Sequence, residues 1–172
     1  MSKILMSACL LGQKVRYDGG DCLQNHLLLQ QWFKEGKIVT ICPEVAGGLS
    51  TPRAPAEIQE SRSRRDVLNK MAFVKNNMHQ DVTQFFLTGA EKALALVKKH
   101  HISVAILKAK SPSCGSNRIY DGRFTRTLIN GDGVTAALLK QHGVLIFDEN
   151  HIENALQAAQ NSLNNNTLVH LE

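Results

Sequence analysis

Ser103-Val104-Ala105-Ile106-Leu107, followed after Lys108-Ala109-Lys110 by Ser111-Pro112-Ser113-Cys114-Gly115-Ser116, is the stretch from which the fold can be read. A short aliphatic run bounded by turn-forming residues reads as a buried strand. The loop behind it is rich in Pro, Ser, Cys and Gly, and in open α/β sheets the ligand crevice lies beyond the carboxyl ends of the strands. The pattern occurs twice more. Ile4-Leu5-Met6-Ser7-Ala8 runs into Cys9, and Ile38-Val39-Thr40-Ile41 runs into Cys42. Three cysteines far apart in sequence each arrive as a strand stops, and the rest of the chain reads as scaffolding that brings them to one edge of a sheet.

Helical patterns fill the gaps between the strands. One is expected from Cys22 to about Lys34, with Asp21 as its cap, Trp32 and Phe33 toward the core, and Gly36 ending it. A second, capped by Asp81 or Thr83, carries Phe85, Phe86, Leu87, Ala90, Ala93, Leu94 and Val97 on one face as far as His100. Gly131-Asp132-Gly133 opens a third, Val144 to Phe147 is a fourth strand, and His151 to Ala159 is a closing helix. This alternation predicts a small three-layer, Rossmann-like α/β fold, a parallel sheet of about four strands in the order 2-1-3-4 with helices on both faces. Residues 1–160 read as a single domain and 161–172 as a polar, Asn-rich tail. The segment from Leu49 to Asn77 is the least regular. Thr51 to Ile58 is too rich in proline for a helix interior, and Val67 to Val74 suggests a small hairpin. The charged stretch Glu60 to Asp66 faces solvent or folds over the site as a lid, and Ile119 to Phe124 looks like a hairpin turn.

The bulk composition narrows the class. At 172 residues and 43% hydrophobic the chain can bury a real core and is not a disordered segment. Aromatic residues make up only 5%, so a base-stacking platform is poorly supplied and nucleic acid is not the expected partner. A net charge of +5 and a pI near 9.1 favour anionic partners in general, and are also what solubility requires. Met1-Ser2-Lys3-Ile4 leads straight into a strand without a secretory leader, and no run is long enough to span a bilayer. A cytoplasmic location is therefore expected, where cysteines are more often metal-binding or catalytic than bridged.

Cys9, Cys42 and Cys114 are isolated, form no C-x-x-C pair, and have no histidine in their loops. Three thiolates without a fourth suit a cubane iron–sulfur cluster whose remaining iron is open, a soft Lewis acid that prefers a sulfur ligand. A redox or nucleophilic cysteine, a zinc site and inert buried thiols remain alternatives at this level. Cys22, at the start of an expected helix, reads as a small hydrophobe. Glu44, two residues past Cys42, is either a solvated loop carboxylate or a general acid/base. Ser111 and Ser113 would hold a substrate oxygen or a water, or cap their own loop. Gly12 and Gly115-Ser116 could offer backbone N–H groups to an anion or to cluster sulfurs. Gly131-Asp132-Gly133 is a weak phosphate-turn match, with no G-x-G-x-x-G after the first strand. Arg16, Arg53 and Lys110 are candidates for orienting an anionic substrate.

Taken together, Ser7-Ala8-Cys9-Leu10-Leu11-Gly12, Arg16-Tyr17-Asp18-Gly19, Cys42-Pro43-Glu44-Val45, Gly47-Gly48-Leu49, Thr51-Pro52-Arg53, Ser111-Pro112-Ser113-Cys114-Gly115 and Gly131-Asp132-Gly133-Val134-Thr135 closely resemble the DUF523 family, over about Ile4 to Phe147. Characterised members of that family are thiouracil desulfidases. The resemblance implies an oxygen-sensitive [4Fe-4S] cluster with Cys9, Cys42 and Cys114 as ligands, Glu44 as the catalytic glutamate and Ser111 as the substrate-proximal serine. It implies a non-redox removal of sulfur from a small thiolated pyrimidine, giving uracil and hydrosulfide. Some relatives carry a further domain and act on 4-thiouridine in tRNA. The alternatives are thus a desulfidase of 4-thiouridine nucleoside or tRNA, and a cluster-bearing redox protein.

Overall fold

Alternate residues of β1 (Ile4–Ser7) point to opposite faces of a sheet, and all four are buried. Ile4 and Met6 enter one core with Leu29, Trp32, Leu156 and Ala159, whereas Leu5 enters another with Ala93, Val97, Ala136 and Leu139. A strand apolar on both sides needs a layer of helices on each, and that requirement sets the architecture. The computed structural model describes residues 3–59, 67–69 and 71–168, with side chains through Ser162.

β1 is flanked by β2 (Ile38–Ile41) and β5 (Val104–Ile106), and β8 (Leu145–Phe147) pairs with β5, so that the parallel sheet runs β2-β1-β5-β8. This is the expected 2-1-3-4 order. α1 (Leu27–Lys34) and α5 (Ile152–Leu168) cover one face, and α3 (Thr83–His100) and α4 (Val134–Gln141) the other. Between β2 and α3 lie a single-turn helix α2 (Pro43–Ala46) and an antiparallel hairpin of β3 (Ala56–Gln59) and β4 (Phe73–Asn76). A second antiparallel pair, β6 (Arg118–Tyr120) and β7 (Leu128–Asn130), separates β5 from α4. Ile58, Val74, Phe86, Ile119 and Val134 fuse both hairpins into a third apolar cluster against α3 and α4.

Several local expectations are corrected. α1 starts at Leu27 rather than Cys22, because the backbone N–H groups of Cys22 and Gln24 bond to the carbonyls of Cys9 and Leu10. Those bonds lay residues 22–24 along the 3₁₀ turn Ala8–Leu11, and Asp21 instead accepts the N–H of Leu23 locally. Trp32 is buried as expected, but Phe33 faces outward. The hairpin involving Val74 pairs residues 73–76 with 56–59 rather than folding Val67–Val74 on itself. Asp81 accepts the N–H of Thr83, whereas the Thr83 hydroxyl accepts that of Val74 and so anchors the hairpin to α3. Residues 161–168, expected as tail, continue α5: the apolar stripe ends at Ala159, but Asn and Ser only weakly disfavour helix. The stretch Glu60 to Asp66 lies outside the described residues.

α2 is set against α3 at backbone contact distance. A Cβ on Gly89 would collide with the Pro43 carbonyl, and one on Gly47 with the Phe85 carbonyl. Exchanging glycine for alanine inside a helix ordinarily adds stability. At Gly89 the sign reverses: Gly89→Ala should lose about 1–3 kcal/mol to overpacking. The check is a lowered urea midpoint at unchanged m-value.

Candidate active site at the carboxyl edge of the sheet

β2, β1 and β5 are neighbours, so Cys42, Cys9 and the Ser111–Cys114 loop leave the sheet side by side. They line one cleft of about 640 Å³ together with Arg16, Cys22, Glu44, Arg53, Lys108 and Tyr120. All five candidate site residues, Cys9, Cys42, Cys114, Glu44 and Ser111, are on its wall.

Each thiol is held differently. Cys9 sits buried in the 3₁₀ turn after β1. Cys42 precedes α2, whose Glu44 and Val45 N–H groups face its sulfur, while the thiol itself lies 3.8 Å from the Val15 carbonyl. Cys114 is buried and accepts the Ser7 hydroxyl at 3.3 Å; the same Ser7 oxygen accepts the Lys108 N–H at 3.0 Å. Burial pushes all three thiols up, Cys9 from 9.0 to about 12; neighbouring cysteines add to it at Cys9 and Cys114, and the Glu44 carboxylate at Cys42. Lys108 and Arg16 pull Cys9 the other way without prevailing. The cleft thus gathers its sulfurs where burial, more than charge, keeps each thiol protonated.

Glu44 is no solvated loop carboxylate. Its side chain is 15% exposed, and Oε2 accepts the Arg53 Nε–H at 2.8 Å. Arg53, one of the candidates for an anionic substrate, is consumed by the protein: Nη1 also donates to the Val15 and Ser50 carbonyls and to Thr51. The Glu44 oxygen that remains, Oε1, lies 3.5 Å from the Ser111 hydroxyl. Ser111 Oγ accepts the N–H groups of Ser113 and Cys114, at 3.1 and 3.0 Å. A hydroxyl has two lone pairs and one hydrogen, so Ser111 can only donate, and here its hydrogen is directed, over a long 3.5 Å, at Glu44 Oε1.

Two other expectations fail here. Gly131-Asp132-Gly133 is no phosphate turn: the N–H groups of Gly133, Val134 and Thr135 bond to the carbonyls of Gly115, Pro112 and Ser113. Asp132 is buried and accepts the Asn117 N–H and Lys140 Nζ. The N–H groups of Gly12 and Gly115 are likewise taken, by Cys9 and Ser111 carbonyls, whereas the Glu44 and Val45 N–H groups of α2 do face a sulfur, that of Cys42. Cys22 does pack against the first core as a small hydrophobe, and it also lines the cleft and accepts Arg16 Nη1 at 2.8 Å. Arg16 also pairs with Asp18. Lys110 lines the cleft without an ion pair among the described residues. Lys108, bound to Glu149, was not anticipated from sequence, since Glu149 lies in the distant β8–α5 connection.

Residues 4–151 match the family described as 2-thiouracil desulfurase. The chain belongs to that family. Within reach of this 2-thiouracil desulfurase family member stands the protein YbbK of Bacillus subtilis (strain 168), described as uncharacterized. It is 44% identical over 153 residues, which is 89% of this chain and 99% of YbbK. Among solved structures, the [4Fe-4S]-dependent thiouracil desulfidase TudS (DUF523Vcz) superposes with a TM-score of 0.83 at 44% identity. The match covers 93% of this chain and 99% of that one. The resemblance read from the cysteine motifs and the Rossmann-like fold both hold. Among the described residues no helix is long and apolar enough to cross a membrane.

The raised thiols carry a consequence for this desulfurase family member when it is free of metal. A folded-state thiol pKa above the unfolded value stabilises below about pH 9, and that contribution is lost as pH rises toward 12. Urea titrations of metal-free protein should show stability falling across this window. Cys9→Ala should flatten the decline.

Proposed function

We propose that this protein is a non-redox thiouracil desulfidase that uses a [4Fe-4S] cluster held by Cys9, Cys42 and Cys114 to convert thiouracil and water into uracil and hydrosulfide. The observation that carries the reading is the placement of three thiols at the ends of three adjacent strands around one cleft, with Glu44 and Ser111 on the same rim. The donor set suits a cluster. Among the described residues no three His, Cys, Asp or Glu side chains gather closely enough for a single metal ion, whereas a cubane takes each thiolate on a separate iron. Buried sulfurs that resist ionisation alone need a cationic partner, which the cluster irons would be.

When bound, the cluster supplies a soft Lewis-acidic iron suited to a thiocarbonyl sulfur. The protein's own groups do the rest. Arg53 fixes the Glu44 carboxylate through Oε2 and leaves Oε1 facing the cleft, where it takes a proton from water attacking the ring carbon. Ser111, restricted to donating, gives its hydrogen to the ring's carbonyl oxygen and so orients the base. Carbon–oxygen bonding replaces carbon–sulfur bonding with no net electron transfer, so no reductant is consumed.

The test is anaerobic reconstitution with iron and sulfide, followed by iron counting and uracil release from thiouracil without reductant. Glu44→Gln should keep its iron and lose roughly 10²–10⁴ in rate, as expected when a general base is removed. Cys114→Ser should lose iron and activity together. A reductant requirement would point to the redox alternative. A cluster that releases no uracil from the free base but desulfurises thionucleosides in tRNA would move the substrate to RNA.

A further inference from the structure

Low aromatic content argues against a stacking surface, yet the aromatic rings are not spread evenly. The chain has two tyrosines, six phenylalanines and one tryptophan, and both tyrosines and Phe124 line the cleft. The segment that brings Phe124 there is strained. Between β6 and β7, Gly122, Phe124 and Arg126 all have left-handed backbone, with φ of 89°, 59° and 62°. Glycine adopts this freely, but Phe and Arg do not, and such strain persists only where neighbouring contacts impose it.

The contact that imposes it is Glu57. This β3 carboxylate is buried, and among the described residues no cation reaches it. Its Oε2 accepts the N–H groups of Gly122 at 2.9 Å and Phe124 at 3.0 Å. Gln59, on the same strand, donates to the Gly122 carbonyl at 2.8 Å, and Gly122 lies so close to β3 that a Cβ would strike the Ile58 carbonyl. A buried carboxylate spent on two loop N–H groups, with no ion pair among the described residues to recover its desolvation, is a costly way to shape a turn. Of the three rings on the cleft wall, Tyr17 already carries the Arg16 guanidinium, 5.8 Å from its centroid, and Tyr120 belongs to β6. Phe124 is the one delivered by the clamped segment.

A thiolated pyrimidine held at its sulfur and at one carbonyl edge still has two flat faces to cover, and an aromatic ring is the natural surface for a flat heteroaromatic face. We infer that Phe124 is the specificity-determining surface against which the pyrimidine ring lies, and that Glu57 is a positioning residue that holds Phe124 in place. The inference rests on the desulfidase reading.

The experiment measures KM and kcat for thiouracil, and equilibrium dialysis of the product uracil, on reconstituted holoenzyme. Phe124→Ala should raise KM and the uracil dissociation constant by about ten-fold to a hundred-fold, the usual loss when one stacking partner of a base is removed, with a much smaller change in kcat. Phe124→Trp should recover most of that loss. Glu57→Ala should share the KM defect with unchanged iron content, and Glu57→Gln, which keeps an oxygen acceptor for both N–H groups, should restore it. Wild-type KM and uracil affinity in Phe124→Ala overturn the stacking surface. A wild-type KM in Glu57→Ala removes the role of Glu57. If Glu57→Ala does not fold, the Phe124 variants decide alone. A wild-type holoenzyme that neither binds uracil nor releases it overturns the desulfidase reading, and this inference with it.

Discussion

The loop that carries Ser111 and Cys114 is held by the first turn of α4. Carbonyls of Pro112, Ser113 and Gly115 accept the otherwise orphaned N–H groups of Gly133 to Ala136. Two needs are met at once, since the helix start is capped and the loop is fixed in shape. The fit requires glycine at two points: a Cβ at Gly133 would overlap the Ser113 carbonyl, and one at Gly115 the Ser111 carbonyl. The buried Ser113–Thr135 hydroxyl pair, 2.9 Å apart, closes the same seam. A helix N-terminus that in other α/β proteins receives a phosphate is here occupied by the protein's own backbone.

The remaining parts of the site are attached to that fixed loop by short ties. Ser7 joins the β1 end to the β5 end by contacting both Cys114 and Lys108. Arg53 joins the β2 exit to the 15–17 segment, donating to Glu44 and Val15 while its own N–H bonds to the Tyr17 carbonyl. Glu149 reaches back from the β8–α5 connection to the Ala109 N–H and Lys108. Every strand of the sheet therefore contributes to one edge. The Gly47 and Gly89 contact sets the depth at which α2, and with it Glu44, stands above that edge.

The three strand ends at the site were legible in the sequence because each aliphatic run leads into a loop that carries Cys together with Gly or Pro. Parallel order followed from the alternation of strands and helices, and the three thiols followed from the order. What could not be read is what depends on contacts between loops. Cys22 looked like a helix residue because its neighbours have helical spacing, whereas its N–H is spent on Cys9. Arg53 and Glu44 lie nine residues apart across an irregular segment, so their pairing had no periodic mark. Glu57 and Phe124, 67 apart, had none either.

Ser111 is a one-way group. With both lone pairs held by the loop's own amides, its oxygen cannot turn to receive a hydrogen from anything in the cleft. A pyrimidine that offers oxygen at that edge meets a complementary partner, whereas one that offers an amino group meets hydrogen with hydrogen. For a ring seated against Ser111 as proposed, the loop's self-capping would favour uracil-like over cytosine-like edges, a discrimination written by the polarity of a single hydroxyl.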